Sequence, residues 1–181
     1  EMQADKFLAP GFGTKGDPSY PVGSSDDVNP GNISVMMSGG ELLALWEAGS
    51  PYRIDPVTLE TKGLKVWRDD LKGMPFLAHP KREPDGRVWS LAMSGRRVGI
   101  YNINPDGSTA GFGMVDIGAA HYIHDWTMTA RKLVILCQPW IQTRNIPPFI
   151  DGFQWKPEEG MKYLIIDKDD LTKTRWAQGP A

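Results

Sequence analysis

The chain has 181 residues, with 20 Lys and Arg against 22 Asp and Glu and a formal net charge of −2. This balance lacks the excess positive charge of nucleic-acid-binding proteins, so no nucleic-acid partner is expected. Cys137 is the only cysteine, which excludes an intrachain disulfide and a thiolate metal cluster. No apolar run reaches transmembrane length, and we expect a cytoplasmic protein.

Short apolar segments separated by glycine and proline turns succeed one another along the chain, which contains 20 Gly and 15 Pro. The predicted strands span residues 32–37, 41–47, 51–55, 87–93, 97–104, 109–117, 131–137, 161–167 and 172–176. No segment shows a sustained 3.6-residue period. Short strands with regular turn signals predict an all-β chain, either a sandwich or a propeller.

Two repeats of similar period favour the propeller. Residues 52–56 (YRIDP) and 101–105 (YNINP) lie 49 residues apart, and we interpret them as equivalent edges of successive blades. His79 and His124 lie 45 residues apart. A four-stranded propeller blade occupies roughly 40–50 residues in common repeat families. We therefore predict a β-propeller fold.

Histidines repeated at blade spacing can converge on the axis of a propeller and hold a metal there. The chain has three histidines, His79, His121 and His124. Residues three apart on a strand point to opposite faces, so only one of His121 and His124 can face the axis. The alternative is that each histidine is an ordinary structural or surface residue.

Glu47 ends an apolar run, where a buried carboxylate is costly unless it is paired. A metal-bound imidazole would be a suitable partner, and a strand-end glutamate that reaches solvent is the alternative. Residues 139–157 are predicted to form a loop rich in Trp, Phe and Pro. Its apolar side chains suit a substrate tunnel, peripheral contact with a membrane, or ordinary packing.

Four motifs, in order, resemble the carotenoid cleavage oxygenase family. They are residues 43–49 (LALWEAG), 55–61 (DPVTLET), 78–81 (AHPK) and 124–129 (HDWTMT). The likeness extends from about residue 32 to the end of the chain. The family includes apocarotenoid oxygenases, the retinoid isomerase of retinal pigment epithelium and bacterial stilbene-cleaving dioxygenases.

The resemblance implies a seven-bladed β-propeller with a non-haem Fe(II) on its axis. In the family, four histidines hold the iron and glutamates orient three of them. His79 matches the first ligand and His124 the second, whereas His121 matches none. Glu47 matches the glutamate that accepts a hydrogen bond from the second ligand.

The chain departs from the family pattern because the third and fourth histidines and the other two glutamates are absent. The resemblance therefore implies an internal fragment: residues 1–181 would form a partial propeller domain of about three blades, with no second domain. Its expected partner is the remainder of the propeller or a complementary chain. Two imidazoles are too few for the family's iron site, so the isolated fragment is expected to be inactive.

Trp46 bears on the substrate. In the stilbene-cleaving branch the equivalent residue is typically a lysine that holds a phenol oxygen, whereas Trp46 offers an apolar face. The resemblance thus implies an Fe(II) dioxygenase that cleaves an apolar polyene, a carotenoid or apocarotenoid, with O₂ to give carbonyl products. A stilbene-cleaving dioxygenase and an iron-free binding piece are the alternatives. A hydrolase with a carboxylate-bound divalent ion is a third, weaker one.

Overall fold

A computed structural model describes residues 23–146 and 149–179 of the chain. These contain fourteen strands and four short 3₁₀ segments, with no α-helix and hence no helix that could span a membrane. The strands are β1 (Ser34–Ser38), β2 (Glu41–Leu45), β3 (Tyr52–Ile54), β4 (Thr61–Leu64), β5 (Lys81–Arg82), β6 (Val88–Ser94), β7 (Arg97–Ile103), β8 (Thr109–Asp116), β9 (Trp126–Met128), β10 (Lys132–Cys137), β11 (Trp140–Gln142), β12 (Phe153–Trp155), β13 (Lys162–Asp167) and β14 (Thr174–Gln178). The 3₁₀ segments are Ser25–Val28, Asp69–Leu71, Phe149–Gly152 and Pro157–Glu159.

Twelve of the described strands form three antiparallel sheets of four strands each. We call them blade 1 (β1–β4), blade 2 (β5–β8) and blade 3 (β9, β10, β13 and β14). Each blade is a meander, and β11 and β12 form a separate hairpin between β10 and β13. The prediction of an all-β chain with about three blades is confirmed. Residues 1–22, 147, 148, 180 and 181 of the predicted domain lie outside the described residues.

Blade 2 is buried on both faces because its side chains alternate between two core clusters. In β6, Trp89 and Leu91 pack in the cluster shared with blade 3, whereas Val88 and Ala92 pack in the cluster shared with blade 1. A strand covered on both faces has no need for polar residues at alternate positions. This explains why the sequence of β6 is a nearly continuous apolar run.

The hairpin turns of neighbouring blades touch. Gly39, in the turn between β1 and β2, has a φ of +55°. A Cβ atom at this position would lie 2.2 Å from the carbonyl oxygen of Asp106, in the turn after β7. Glycine is therefore required at residue 39 by the close approach of the two turns as well as by its backbone conformation.

Five short strands escaped the sequence analysis, namely β4, β5, β9, β11 and β12. They have only two to four residues each, too few to display an alternating pattern. The prediction of a loop over residues 139–157 is wrong, because β11 and β12 pair within it, with Trp140 opposite Trp155. The prolines that the structure describes in this segment lie before β11 and after β12. At these positions they do not interrupt the hydrogen bonds between the two strands.

The repeat of residues 52–56 and 101–105 is real. Tyr52 begins β3 and Tyr101 lies in β7, and these are the third strands of blades 1 and 2. Both strands are interior to their sheets, so the interpretation as blade edges is wrong. The third strand is the equivalent position in both blades.

The first strands of the three blades are joined side by side. Arg82 of β5 donates to the carbonyl of Met37 in β1 at 2.5 Å. Lys81 of β5 forms an ion pair of 2.6 Å with Asp125, immediately before β9. The start of β5 therefore lies against the residues that immediately precede β9.

Candidate metal centre

His79 and His124 occupy equivalent positions in successive blades. His79 lies two residues before β5, and His124 lies two residues before β9. Each histidine therefore lies in the segment that leads into the first strand of a blade, and not within the strand. The two segments lead into the first strands of adjacent blades. Because these positions are equivalent, the side chains of His79 and His124 lie close together.

The two imidazole rings are in contact, with centroids 4.6 Å apart and an angle of 69° between their planes. Glu47 completes the group, since one ligand atom from each of Glu47, His79 and His124 lies within 4.8 Å of the other two. The three side chains come from blade 1 and from the entries to blades 2 and 3. Residues far apart in sequence thus offer two ring nitrogens and a carboxylate in one place.

Glu47 follows β2 and is only 1% exposed. Its Oε1 accepts a hydrogen bond from Nδ1 of His124, and its Oε2 accepts one from the hydroxyl of Tyr122. Both carboxylate oxygens are therefore occupied by protein donors. Glu47 is placed to orient His124 and is a poor candidate for a metal ligand itself.

The ring nitrogens of the two histidines are disposed for a cation. In the neutral tautomer that donates from Nδ1 to Glu47, Nε2 of His124 carries a lone pair that can bind a metal. Nε2 of His79 is buried without a hydrogen-bond partner among the described residues. A buried polar atom without a partner is costly, and a bound metal would satisfy it. Two neutral imidazoles suit iron and other first-row transition metals, so the residues present fit such an ion.

Contacts between the two histidine segments hold them together. The ion pair of Lys81 with Asp125 connects residues that each lie within two positions of a histidine. The ammonium of Lys81 also lies 5.8 Å from the centre of the Trp126 ring. On the other side, the hydroxyl of Ser34 in β1 donates to the carbonyl of Ala78. His79 is thus fixed between blade 1 and blade 3.

A second set of contacts fixes the segment that carries Glu47. Asp26 accepts hydrogen bonds from the backbone N–H and the hydroxyl of Ser50, at 2.6 and 2.7 Å. Asn29 donates to the carbonyl of Ser50 at 2.8 Å. The backbone N–H of Phe76 donates to the carbonyl of Gly49 at 3.0 Å. Residues 46–51 are buried as a result.

Trp46, predicted to contact substrate, is 3% exposed and follows the end of β2. The strand predicted over residues 41–47 would place Trp46 and Glu47 on opposite faces. Both residues lie beyond β2, so strand alternation does not determine their directions. A substrate contact of Trp46 stays a prediction.

His121 lies apart from the metal-binding group. It is 4% exposed, forms an isolated bridge with Ile141, and donates from Nδ1 to the carbonyl of Gln138 at 2.7 Å. Burial lowers the pKa of His121, and the hydrogen bond to Gln138 opposes this shift. Strand alternation is not the reason for its separation from His124, because residues 122–125 are not a strand. The bridge between His121 and Ile141 of β11 keeps His121 away from His124.

Tyr122 is the residue of this site that the sequence analysis missed. Its hydroxyl donates to Glu47, and burial, with the hydrogen bond and charge of Glu47, raises the pKa of the phenol. No spacing marks a tyrosine of this kind. The available signal was that a buried carboxylate needs a donor for each oxygen.

Cys137 belongs to the core between blades 2 and 3. Burial raises the pKa of its thiol to about 12, so the thiolate is not accessible near neutral pH.

An open cavity of about 280 Å³ lies beside His79, between β1 and β5. Val35, Met36 and Lys81 are among its lining residues.

Comparison with known proteins gives matches over most of the chain. Residues 1–181 match the family described as retinal pigment epithelial membrane protein. Resveratrol cleavage oxygenase 1 of Aspergillus fumigatus is 33% identical over 146 residues, which are 76% of this chain and 29% of the relative. Carotenoid cleavage oxygenase 1 of Neurospora crassa is 30% identical over 158 residues, 82% of this chain and 30% of the relative.

The fold is similar to that of solved structures. The crystal structure of Pseudomonas brassicacearum lignostilbene dioxygenase aligns with a TM-score of 0.76 and 26% identity, over 85% of this chain and 34% of that chain. The β-propeller prediction is confirmed by this likeness. The chain spans about a third of the length of the relatives that it matches.

Proposed function

We propose, from the premise that this chain belongs to the retinal pigment epithelial membrane protein family, that it is part of a non-haem Fe(II) dioxygenase. In the proposed reaction, a conjugated carbon–carbon double bond breaks and each of its carbons receives one atom of O₂. The products are two carbonyl compounds, and no other co-reactant is consumed. The observation that carries the proposal is the convergence of His79 and His124 beside the buried Glu47.

In this proposal, Nε2 of His79 and Nε2 of His124 hold the iron. When bound, the iron supplies the activation of O₂ that side chains alone cannot provide. Glu47 keeps the proton of His124 on Nδ1 and thereby presents the Nε2 lone pair to the metal. No acid–base pair is required of this chain in the proposed reaction.

Two imidazoles leave most positions of the iron unfilled, so we propose that the remaining ligands come from chain outside these 181 residues. The chain spans about a third of its relatives, which supports a fragment of a longer propeller. A complementary chain is the alternative source. The isolated 181 residues form, in this proposal, a partial propeller domain that is inactive alone.

We propose an apolar polyene of the carotenoid or apocarotenoid type as the substrate, with a stilbene as the alternative. Names among the relatives include both a carotenoid and a resveratrol cleavage oxygenase. The apolar Trp46 supports the polyene. In the full-length protein that contains these residues, Trp46→Lys should shift activity from a polyene towards a phenolic stilbene and leave iron content unchanged. Equal loss on both substrates, or loss of iron, would contradict this role for Trp46.

We further propose a cytoplasmic location with peripheral contact to a membrane, since a polyene substrate partitions into lipid. Trp155 of β12, which is 62% exposed, offers an apolar contact on the hairpin of β11 and β12. Co-sedimentation of the full-length protein with lipid vesicles tests the contact. Unchanged vesicle binding after Trp155→Ser would show that Trp155 does not contribute to the membrane contact.

The decisive test of the function uses the full-length protein loaded anaerobically with Fe(II). It is then supplied with O₂ and either an apocarotenal or resveratrol, and carbonyl products are identified by mass spectrometry. We expect cleavage of one substrate class, with one atom of ¹⁸O₂ in each product. Iron binding without cleavage would favour another reaction, and a protein that neither binds iron nor cleaves either substrate would favour the iron-free binding piece.

A further inference from the structure

The carboxylate of Glu47 is held by two donors that come from one short segment. Nδ1 of His124 donates to Oε1 and the hydroxyl of Tyr122 donates to Oε2. We propose that Tyr122 is a positioning residue, which acts through Glu47 to fix His124 for the metal. This inference rests on the proposed function, since it assumes that His124 binds a metal.

The geometry gives Tyr122 a role that a packing residue does not have. With both oxygens held, the carboxylate of Glu47 cannot rotate about its last bond without breaking a hydrogen bond, and Glu47 is only 1% exposed. Without Tyr122, one oxygen would be buried with no donor, and Glu47 would be free to turn away from His124. Loss of a charge-assisted partner in a buried site is costly.

The ring of Tyr122 is itself fixed by the hairpin of β11 and β12. Its centroid lies 4.8 Å from that of Trp140 and 5.5 Å from that of Phe153. Its backbone N–H donates to the carbonyl of Trp140 at 2.9 Å. The hairpin lies outside the three blades in the sheet order. It therefore acts, in this proposal, as a support for the metal site.

The direction of the hydrogen bond between Tyr122 and Glu47 follows from the chemistry of the two groups. A carboxylate oxygen can only accept, so the hydroxyl of Tyr122 is the donor.

The test is the dissociation constant for Co(II), used as a spectroscopic probe, in the full-length protein that contains these residues. Tyr122→Phe retains the ring and removes only the hydroxyl. We expect it to weaken metal binding by about tenfold, the lower end of the range for residues that orient a ligand. The matched control is Tyr163→Phe, because among the described residues the hydroxyl of Tyr163 has a single hydrogen-bond partner, the sulfur of Met161 at 3.9 Å.

A double variant separates positioning from packing. In a Glu47→Gln background, Tyr122→Phe should cause little further loss, because the group through which it acts has already changed. Unchanged Co(II) affinity in Tyr122→Phe, or losses that simply add in the double variant, would overturn the proposal. If the unmodified protein binds no metal, the proposed function fails instead.

A second variant covers the case in which Tyr122→Phe does not fold. Trp140→Leu removes the ring that supports Tyr122 but leaves its hydroxyl. We expect a severalfold weaker Co(II) affinity with Glu47 present and no change in the Glu47→Gln background. Unchanged affinity with Glu47 present would also overturn the proposal.

Discussion

His79 and His124 occupy the same position in adjacent blades, yet they are held by different means. The segment of His79 is fixed by the core: Phe76, Leu77 and Ala78 are at most 1% exposed, and the N–H of Leu77 donates to Leu91 at 2.8 Å. His124 has a side chain that is 50% exposed and depends on the carboxylate of Glu47.

This difference shows two ways to place a metal ligand on a repeated scaffold. A buried backbone with its hydrogen bonds paired fixes one imidazole through packing alone. A half-exposed imidazole requires a charged partner from another blade, and that partner must itself be positioned. Changes to Glu47 should therefore affect His124 and leave His79 in place.

The largest effect is expected from removal of either histidine. His79→Ala and His124→Ala should each reduce the iron content of the full-length protein to background, since neither ligand can replace the other. Elemental analysis after anaerobic loading with Fe(II) measures this. Normal iron content in either variant would show that the substituted histidine is not an iron ligand.

Glu47→Gln should weaken the support of His124 while the fold persists. The amide keeps the shape of the side chain but loses the charge and can present the wrong group to Nδ1. Second-sphere losses of this kind typically cost roughly 10–100-fold in metal affinity or activity. Chelator competition gives the affinity, and circular dichroism checks the fold. Unchanged metal affinity in Glu47→Gln would contradict the claim that His124, unlike His79, depends on Glu47.

The fold class could be predicted from the sequence more fully than the roles of the site residues. Scarce histidines at blade spacing, with a glutamate at the end of an apolar run, left ordinary structural roles open, and it was the family resemblance that singled out His79, His124 and Glu47. The structure brings these three side chains together, and their roles stay predictions. The four motifs indicated the family, which the match over residues 1–181 confirms. The short strands β5 and β9 were missed because two or three residues carry no period.

Tyr122 and the supports of Glu47 could not be predicted for a different reason. Asp26 and Asn29 act on Ser50 from the segment before β1, and Tyr122 acts on Glu47 from the segment that leads into blade 3, so both sets of contacts join residues far apart in the sequence. Spacing along the chain carries no signal for such contacts. The interpretation of His121 reached the right separation from His124 through the wrong element, since an isolated bridge, and not a strand, holds it.

A smaller effect is expected from Gly49→Ala. A Cβ atom at Gly49 would lie 2.4 Å from Nδ2 of Asn29 and 2.8 Å from Oδ1 of Asp26. Relief of this clash should shift the segment of Glu47, cost about 1–3 kcal/mol of stability, and weaken metal binding through His124. Gly111→Ala is the matched control, because a Cβ atom there meets nothing within 4 Å. Equal stability of the two variants would contradict the tight packing at Gly49.

The smallest effect on the metal is expected from His121→Ala. The imidazole of His121 is committed to the carbonyl of Gln138 and lies outside the metal-binding group. Some stability should be lost with that hydrogen bond, about 1 kcal/mol. Iron content should stay near normal. Loss of iron equal to that in His124→Ala would show that the wrong histidine was assigned.

The central claim is that His79 and His124 hold one iron together. Anomalous diffraction at the iron absorption edge, on crystals of the full-length protein grown with Fe(II), locates the metal directly. The account predicts one peak within bonding distance of Nε2 of both histidines, with Nδ1 of His124 still on Glu47. A peak bonded to neither histidine, or to one alone, would contradict it.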